Sequence, residues 1–287
     1  MTASTTNWNL FWQHHLGSWI GRWTRYSQTG EIQETFKSTR SFSANPDRTE
    51  INQINRQNFA NGDANTMQWN YSIHKHSHDD GFAHPASSLM RGLAFENGAA
   101  VWLVPQLQHN QYQAFELFLM QKNIRHSVGV LYGENGQLLH TASIREYRGD
   151  PSNNNWSTDI DQVNPWTIDG EWQGEKLQIN PNLSRHLIQP VQWQWNLDEP
   201  ETNQTNHFFP DKIILRCPTK LIPGKDFSIT VYWQAKNNQL QIIRANYNQA
   251  AQLHAVSQQT MHRPTGQSQS NNSQKKANNH LKLIKTP

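Results

Sequence analysis

The chain has 287 residues, about twice the length of an average domain, so two domains of roughly 140 residues are the natural division. Charged residues are only 16% and the net charge is +3, much of it from Lys275, Lys276, Lys282 and Lys285, which gives no basis for nucleic-acid binding. Twelve Trp and eleven Phe can fill two cores, while the lone Cys217 excludes an internal disulfide and points to a reducing, cytoplasmic compartment. Residues 1–9 lack a basic segment followed by an apolar one, so no secretory leader is expected. No apolar run approaches the roughly 18 residues of a membrane helix, so the chain is read as soluble.

Trp8, Phe11, Trp12 and His15 fall at helical spacing within residues 5–16. Thr5 or Thr6 is the expected N-cap and Gly17 the stop, giving a short helix that lids a barrel mouth. Ser18 to Phe42 reads as strand, turn at Thr29-Gly30, and strand. Ile32, Glu34, Phe36, Ser38, Arg40 and Phe42 share one face of the second strand. Residues 44–66 alternate poorly and predict a short strand among loops. Met67 to Ile73 predicts a strand with Met67, Trp69, Tyr71 and Ile73 on one face, and 77–88 a loop. Strands follow near 89–95, 99–105, 111–121, 124–132 and 137–148, with Asn-Gly turns at Glu96-Asn97-Gly98 and Gly133-Glu134-Asn135-Gly136. Gly149 to Asn155 reads as a linker, then strands near 166–179, 187–197, 207–217, 226–235, 238–247 and 251–262. Beyond Pro264 no periodicity remains, and a disordered polar tail is expected over 264–287.

Two segments repeat. Gly17-Ser18-Trp19-Ile20-Gly21-Arg22-Trp23 opens the first half and Gly170-Glu171-Trp172-Gln173-Gly174 the second. Glycines of this kind admit a turn or a close backbone approach, and the Trp plugs one end of a small barrel. At the far end Tyr132, Gln137, Leu138 and Arg148 match Tyr247, Gln252, Leu253 and Arg263. The front motifs are 153 residues apart and the rear matches 115, so the first half holds 38 extra residues. The expectation is a larger barrel over 1–150 with an insertion near 44–90, and a smaller one over 151–263.

Residues that could carry chemistry are few. His74, His76 and His78 would face one way on an extended strand and could bind zinc, but no partner is visible to orient the imidazoles. A solvated strand end without metal is the reading preferred. Cys217 lies in an apolar strand, where a buried inert thiol is expected, and His14-His15 marks a helix end. No nucleophile elbow, Walker loop or dinucleotide fingerprint is present, so no catalytic or cofactor-binding residue is assigned. In lipocalin-type barrels an arginine of the last strand packs over the Trp of the first. By that resemblance Arg148 pairs with Trp19 and Arg263 with Trp172, with Arg244 a competitor for the second place.

The opening run, Phe11, His15-Leu16-Gly17, Trp19, Gly21, Trp23-Thr24 and Tyr26, then Phe36, Ser38 and Arg40-Ser41-Phe42, resembles the DUF3598 family. The resemblance implies an all-β fold of two tandem lipocalin-like (calycin) antiparallel β-barrels with a short N-terminal helix. It also implies a cyanobacterial or chloroplast setting, since the family's chloroplast member is a biogenesis factor required for ATP synthase that helps assemble the F1 sector. The first expectation is therefore a non-enzymatic assembly factor holding F1 subunits. The alternative is a binder of a small hydrophobic or tetrapyrrole ligand, with a bilin-lyase-like enzyme third. Exposed apolar barrel walls would favour the factor, and a deep empty cup the binder. The inward aromatic load of Trp19, Phe36, Trp69, Trp102, Phe118 and Tyr132 predicts a first barrel filled by side chains.

Overall fold

A computed structural model describes residues 1–195 and 203–264. The expected tail therefore lies outside the described residues, Pro264 apart, as does the end of the strand expected at 187–197. Helix α1 (Ala3–His15) is followed by β1 (Gly17–Ser27), β2 (Ile32–Ala44), β3 (Glu50–Phe59) and β4 (Ala64–Ser72). A single helical turn, α2 (Ile73–His76), leads to β5 (Ser77–His78), β6 (Gly81–His84), β7 (Ser87–Ala94) and β8 (Ala100–Leu103). Then come β9 (Gln113–Gln121), β10 (Ile124–Tyr132) and β11 (Leu138–Arg148). The second half holds β12 (Glu171–Ile179), β13 (Arg185–Gln194), β14 (Gln204–Phe209), β15 (Ile213–Pro218), β16 (Phe227–Lys236), β17 (Gln239–Tyr247) and β18 (Leu253–His262).

Among the described residues the strands form two antiparallel sheets. The eleven-stranded sheet runs β4-β3-β2-β1-β11-β10-β9-β8-β7-β6-β5, and the seven-stranded sheet runs β13-β12-β18-β17-β16-β15-β14. In each, the first strand pairs with both the second and the last, the closure of an up-and-down meander. The larger sheet curls around α1 into a nearly closed barrel. Trp8, Phe11 and Trp12 of the helix join Trp19, Phe42, Tyr71, Phe82, Trp102 and Phe118 in one buried cluster. The same irregularity recurs at the last hairpin of each sheet: a bulge places Tyr132 opposite Leu138 and Tyr247 opposite Leu253.

Several expectations are corrected. The N-cap of α1 is Thr2, whose Oγ1 accepts from the Thr5 amide at 3.1 Å, so the helix begins earlier than Thr5 or Thr6 implied. Residues 44–66 are not loops with one short strand but the long hairpin β3–β4. Its Asn and Gln residues hide the period-two pattern, because only Ile51 and Gln53 of β3 turn fully inward. The loop expected over 77–88 contains β5 and β6. The strand expected over 207–217 is two, split at Asp211 and Lys212, which both adopt the left-handed backbone of a tight hairpin turn.

The largest core lies between the sheets. Leu117, Leu119, Val128 and Val130 on the outer face of β9 and β10 meet Leu215, Val231, Trp233, Ile243 and Ala245 of the second sheet. β9 is consequently apolar on both faces, with Phe118 inside the barrel and its neighbours outside. A third cluster, including Trp172, Trp195, Tyr232, Leu240 and Met261, fills the inner side of the second sheet.

Candidate functional site

The two Gly-x-Trp-x-Gly segments occupy equivalent places. Gly17 and Gly170 have φ of +101° and +81°, a conformation that favours glycine. Gly21 and Gly174 sit where the last strand crosses closely. A Cβ on Gly21 would overlap the Arg145 carbonyl, and one on Gly174 the Thr260 carbonyl, each well inside the 3.0 Å that real Cβ atoms keep. Trp19 is fully buried between two guanidinium groups, Arg148 at 4.9 Å and Arg125 at 4.3 Å from its ring centre. Arg148 also donates to the His14 carbonyl at 3.0 Å, capping the end of α1. In the second sheet Arg263 lies 4.7 Å from the centre of the buried Trp172 ring. Arg244 is engaged elsewhere, with Thr230 and Tyr232.

Trp23 belongs to a different feature. With Arg40 above its ring at 5.5 Å, it lines a cavity of about 200 Å³ inside the first barrel. The walls are Phe11, Phe42, Trp69, Tyr71, Trp102 and Phe118, with Gln53, Asn55, His84 and Met90 among them. The aromatic load thus does not fill the barrel as expected, and Tyr132 faces the core between the sheets instead. Rings on alternate positions are splayed by the sheet's curvature, and their T-shaped contacts leave a space between them. His84 meets Trp69, Tyr71 and Trp102 in this way, at 5.4, 5.6 and 5.1 Å.

Beneath the rings lies a buried ionic network. Glu146 accepts Arg40 Nε and Nη2, both at 2.6 Å, and Arg125 Nε at 2.6 Å. Arg40 Nη1 reaches Glu116 Oε1 at 3.0 Å, and Ser127 Oγ donates to the same oxygen at 2.8 Å. Burial alone would raise the Glu146 carboxyl, but the charges and hydrogen bonds of Arg125 and Arg40 outweigh it and bring it down to about 2. Arg125 Nη1 stands 2.8 Å from His15 Nδ1. A guanidinium only donates, so Nδ1 must accept, and His15 Nε2 carries the hydrogen that faces the Gly98 carbonyl at 3.2 Å. Burial, and then the Arg125 charge, hold His15 well below its usual range, so the ring stays neutral.

Sequence reading found only part of this network. The alternation of β2 put Arg40 on the inner face, but Arg125 and Glu146 become partners only through the β10–β11 register, which sets them directly opposite. The other flagged residues lie elsewhere. His74 and His76 are on the helical turn α2 rather than an extended strand, so the common face with His78 does not form. His76 Nδ1 accepts from the Ser72 amide at 2.9 Å. Among the described residues no three metal-ligating side chains converge. Cys217 is fully buried in the core between the sheets, and burial pushes its thiol up to about 12.

Two meandering antiparallel sheets, one of them a nearly closed barrel with a helix at one end and an inner cup, define an all-β protein of lipocalin-like type. The chain belongs to the DUF3598 family: the N-terminal DUF3598 domain, a domain of unknown function, matches residues 4–151. No curated protein matches the chain in sequence. Its fold is similar to a crystal structure of a DUF3598 protein of unknown function from Nostoc punctiforme. That likeness has a TM-score of 0.68 and 17% identity, over 90% of this chain and 99% of the other. An S-type phycobiliprotein lyase from Guillardia theta is similar at a TM-score of 0.34 and 12% identity, over 52% of this chain and 96% of its own. A likeness at that TM-score defines neither a shared ligand nor a shared activity.

Proposed function

We propose that this protein is a non-enzymatic binder whose first barrel receives one small, ring-sized ligand. The cavity of about 200 Å³ carries the reading, because its walls are aromatic and a carboxylate stands at its base. A dry cavity of about 150 Å³ takes a benzene molecule, and drug-sized ligands use roughly 300–1,000 Å³. The cup therefore suits one ring or two fused rings better than an enclosed tetrapyrrole. Binding is favoured over turnover because most of the ionisable groups in and around the cup are committed. Glu146 is clamped by two guanidinium groups, His15 is held neutral, and the buried thiol is outside the cup.

Tryptophan fluorescence tests this directly, since Trp23, Trp69 and Trp102 line the space. A library of neutral, cationic and anionic ring compounds should contain some that quench saturably and raise the melting temperature. Asn55→Trp, which fills the cup, should remove both effects while the chain stays folded. Absence of saturable binding across all three charge classes overturns the reading.

A second reading, the factor holding F1 subunits of ATP synthase that the sequence resemblance implies, is supported by one surface. β13 pairs only with β12 among the described residues, and its Leu187 and Ile188 are 59% and 43% exposed. An apolar edge strand is a docking point for another chain. The outer walls of β9 and β10, by contrast, are consumed by the second sheet. Capture of F1 subunits by the wild-type chain, lost on Leu187→Lys, would favour this reading, and capture unchanged by that substitution would remove its structural support.

A further inference from the structure

We propose that the cup selects a ligand bearing an N–H donor, seated on Glu116 Oε2, and discriminates against anions. The inference rests on the binder reading above and adds the ligand's chemistry to it.

The network supplies the argument, because it leaves one charged atom free. Arg40 has all three nitrogens engaged, Nε and Nη2 on Glu146 and Nη1 on Glu116, and its side chain is nearly sealed. Arg125 uses Nε on Glu146 and Nη1 on His15. Its Nη2 has no partner, but it is sealed from any probe the size of water, and the guanidinium is packed by Trp19, Phe42 and Phe118. The two arginine charges are matched by the two glutamate charges, so no net positive field awaits an anion. Glu116 differs from all of these. Its side chain is 19% exposed, and Oε1 takes both Arg40 and Ser127 while Oε2 accepts no hydrogen bond among the described residues.

The surroundings agree with a donor seated there. Tyr71 donates to Gln53 Oε1 at 2.6 Å and Gln53 Nε2 donates to Asn55 Oδ1 at 2.9 Å, so these polar groups are spent on each other. Asn55 Nδ2 remains as a neutral donor, and so does His84 Nε2, because His84 Nδ1 accepts from the Ala86 amide. The other walls present ring faces, which attract a cation, and ring edges, which tolerate a neutral heterocycle, whereas a carboxylate in the cup would stand beside Glu116. Two sources share the required chemistry: an ammonium on a small ring, and a ring N–H as in an indole.

Benzylamine, indole and benzoate, three probes of similar size, separate the possibilities by titration of intrinsic fluorescence. Either N–H donor should bind the wild-type chain at least about tenfold tighter than benzoate, the discrimination of a charge-assisted hydrogen bond. Benzylamine ahead of indole assigns the ammonium, and the reverse order assigns the neutral ring N–H. Glu116→Gln should shrink the preference for both donors over benzoate. This wild-type comparison needs no variant, so it holds even where Glu116→Gln weakens folding. Benzoate binding as tightly as the donors overturns the inference and leaves the binder reading intact. Binding of none of the three, with another compound of the library bound, also overturns the inference alone. Silence across the whole library overturns both.

Discussion

Tyr132 and Tyr247 tie the two sheets together with the same bond made in opposite directions. Tyr132 donates its hydroxyl to the Pro218 carbonyl at 2.9 Å, and Tyr247 donates to the Val104 carbonyl at 2.8 Å. Backbone bonds repeat the reciprocity, from the Leu138 amide to Thr219 at 3.0 Å and from the Leu253 amide to Pro105 at 2.7 Å. Such pairing is what a two-fold related contact between two copies looks like, here built within one chain. Tyr132→Phe and Tyr247→Phe should each cost about 1–2 kcal/mol, since each leaves a buried carbonyl short of a donor. Because the core between the sheets is the largest, urea should unfold the chain in a single transition. Two separated transitions would show that the sheets are independent.

The close strand crossings predict a graded glycine series. Gly21→Ala and Gly174→Ala push a methyl into a backbone carbonyl and should each lose about 3 kcal/mol or more, or prevent folding. Gly129→Ala is the control, because its Cβ would meet Ala142 at an ordinary 3.4 Å and should change stability by less than about 1 kcal/mol. Equal melting temperatures for all three would remove the steric account of the motif.

Trp19→Ala should destabilise by about 3–5 kcal/mol, the range for truncating a fully buried aromatic. It also unseats two cations: Arg148, which caps α1, and Arg125, which reaches His15. Far-ultraviolet dichroism should therefore show loss of the short helix along with the lowered melting temperature. An unchanged melt would mean the ring is dispensable.

The pH dependence follows from buried imidazoles. Burial lowers His126 to about 3 and lowers His84 and His207 to about 4, with His15 well below its usual range. An unfolded imidazole titrates near about 6.5, so below that pH the unfolded chain binds more protons than the folded one. Stability should be level between pH 7 and pH 8 and fall as the pH drops through 6 to 4. Glu146 acts later. Its folded value of about 2 lies below the unfolded value of about 4.3, so its contribution is complete above that value and disappears as the pH falls toward 2. Urea midpoints measured from pH 8 to pH 4 check this, and a flat profile would rule it out. His126→Asn should make the slope shallower.

Much of the fold was legible because β-structure writes a period of two into the chain. The inner face of β2 was readable as Phe36, Ser38, Arg40 and Phe42, all of which are buried. The strands from β7 to β11 were readable from their apolar runs, with Asn-Gly marking the turns between β7 and β8 and between β10 and β11. β3 was not, since a strand whose Asn and Gln residues face both ways has no hydrophobic alternation to read. The candidate site was less legible. Arg125 and Glu146 are 21 residues apart, and only the pairing of β10 with β11 makes them neighbours.

What the sequence determined by itself was local: which side chains turn inward, where glycine is needed, and how many large rings are available. It could not determine what those rings leave between them, because alternation names a face while an enclosed volume depends on the curvature of the whole sheet. Nor could it determine what covers the outer face of β9. Leu117, Phe118 and Leu119 are apolar in succession, a pattern that requires a covering on both sides without saying what provides it. Tertiary structure gave Phe118 to the cup, and Leu117 and Leu119 to the second sheet. The physical reason is that apolar burial is non-directional, so the partner is chosen by which surfaces the chain can bring together.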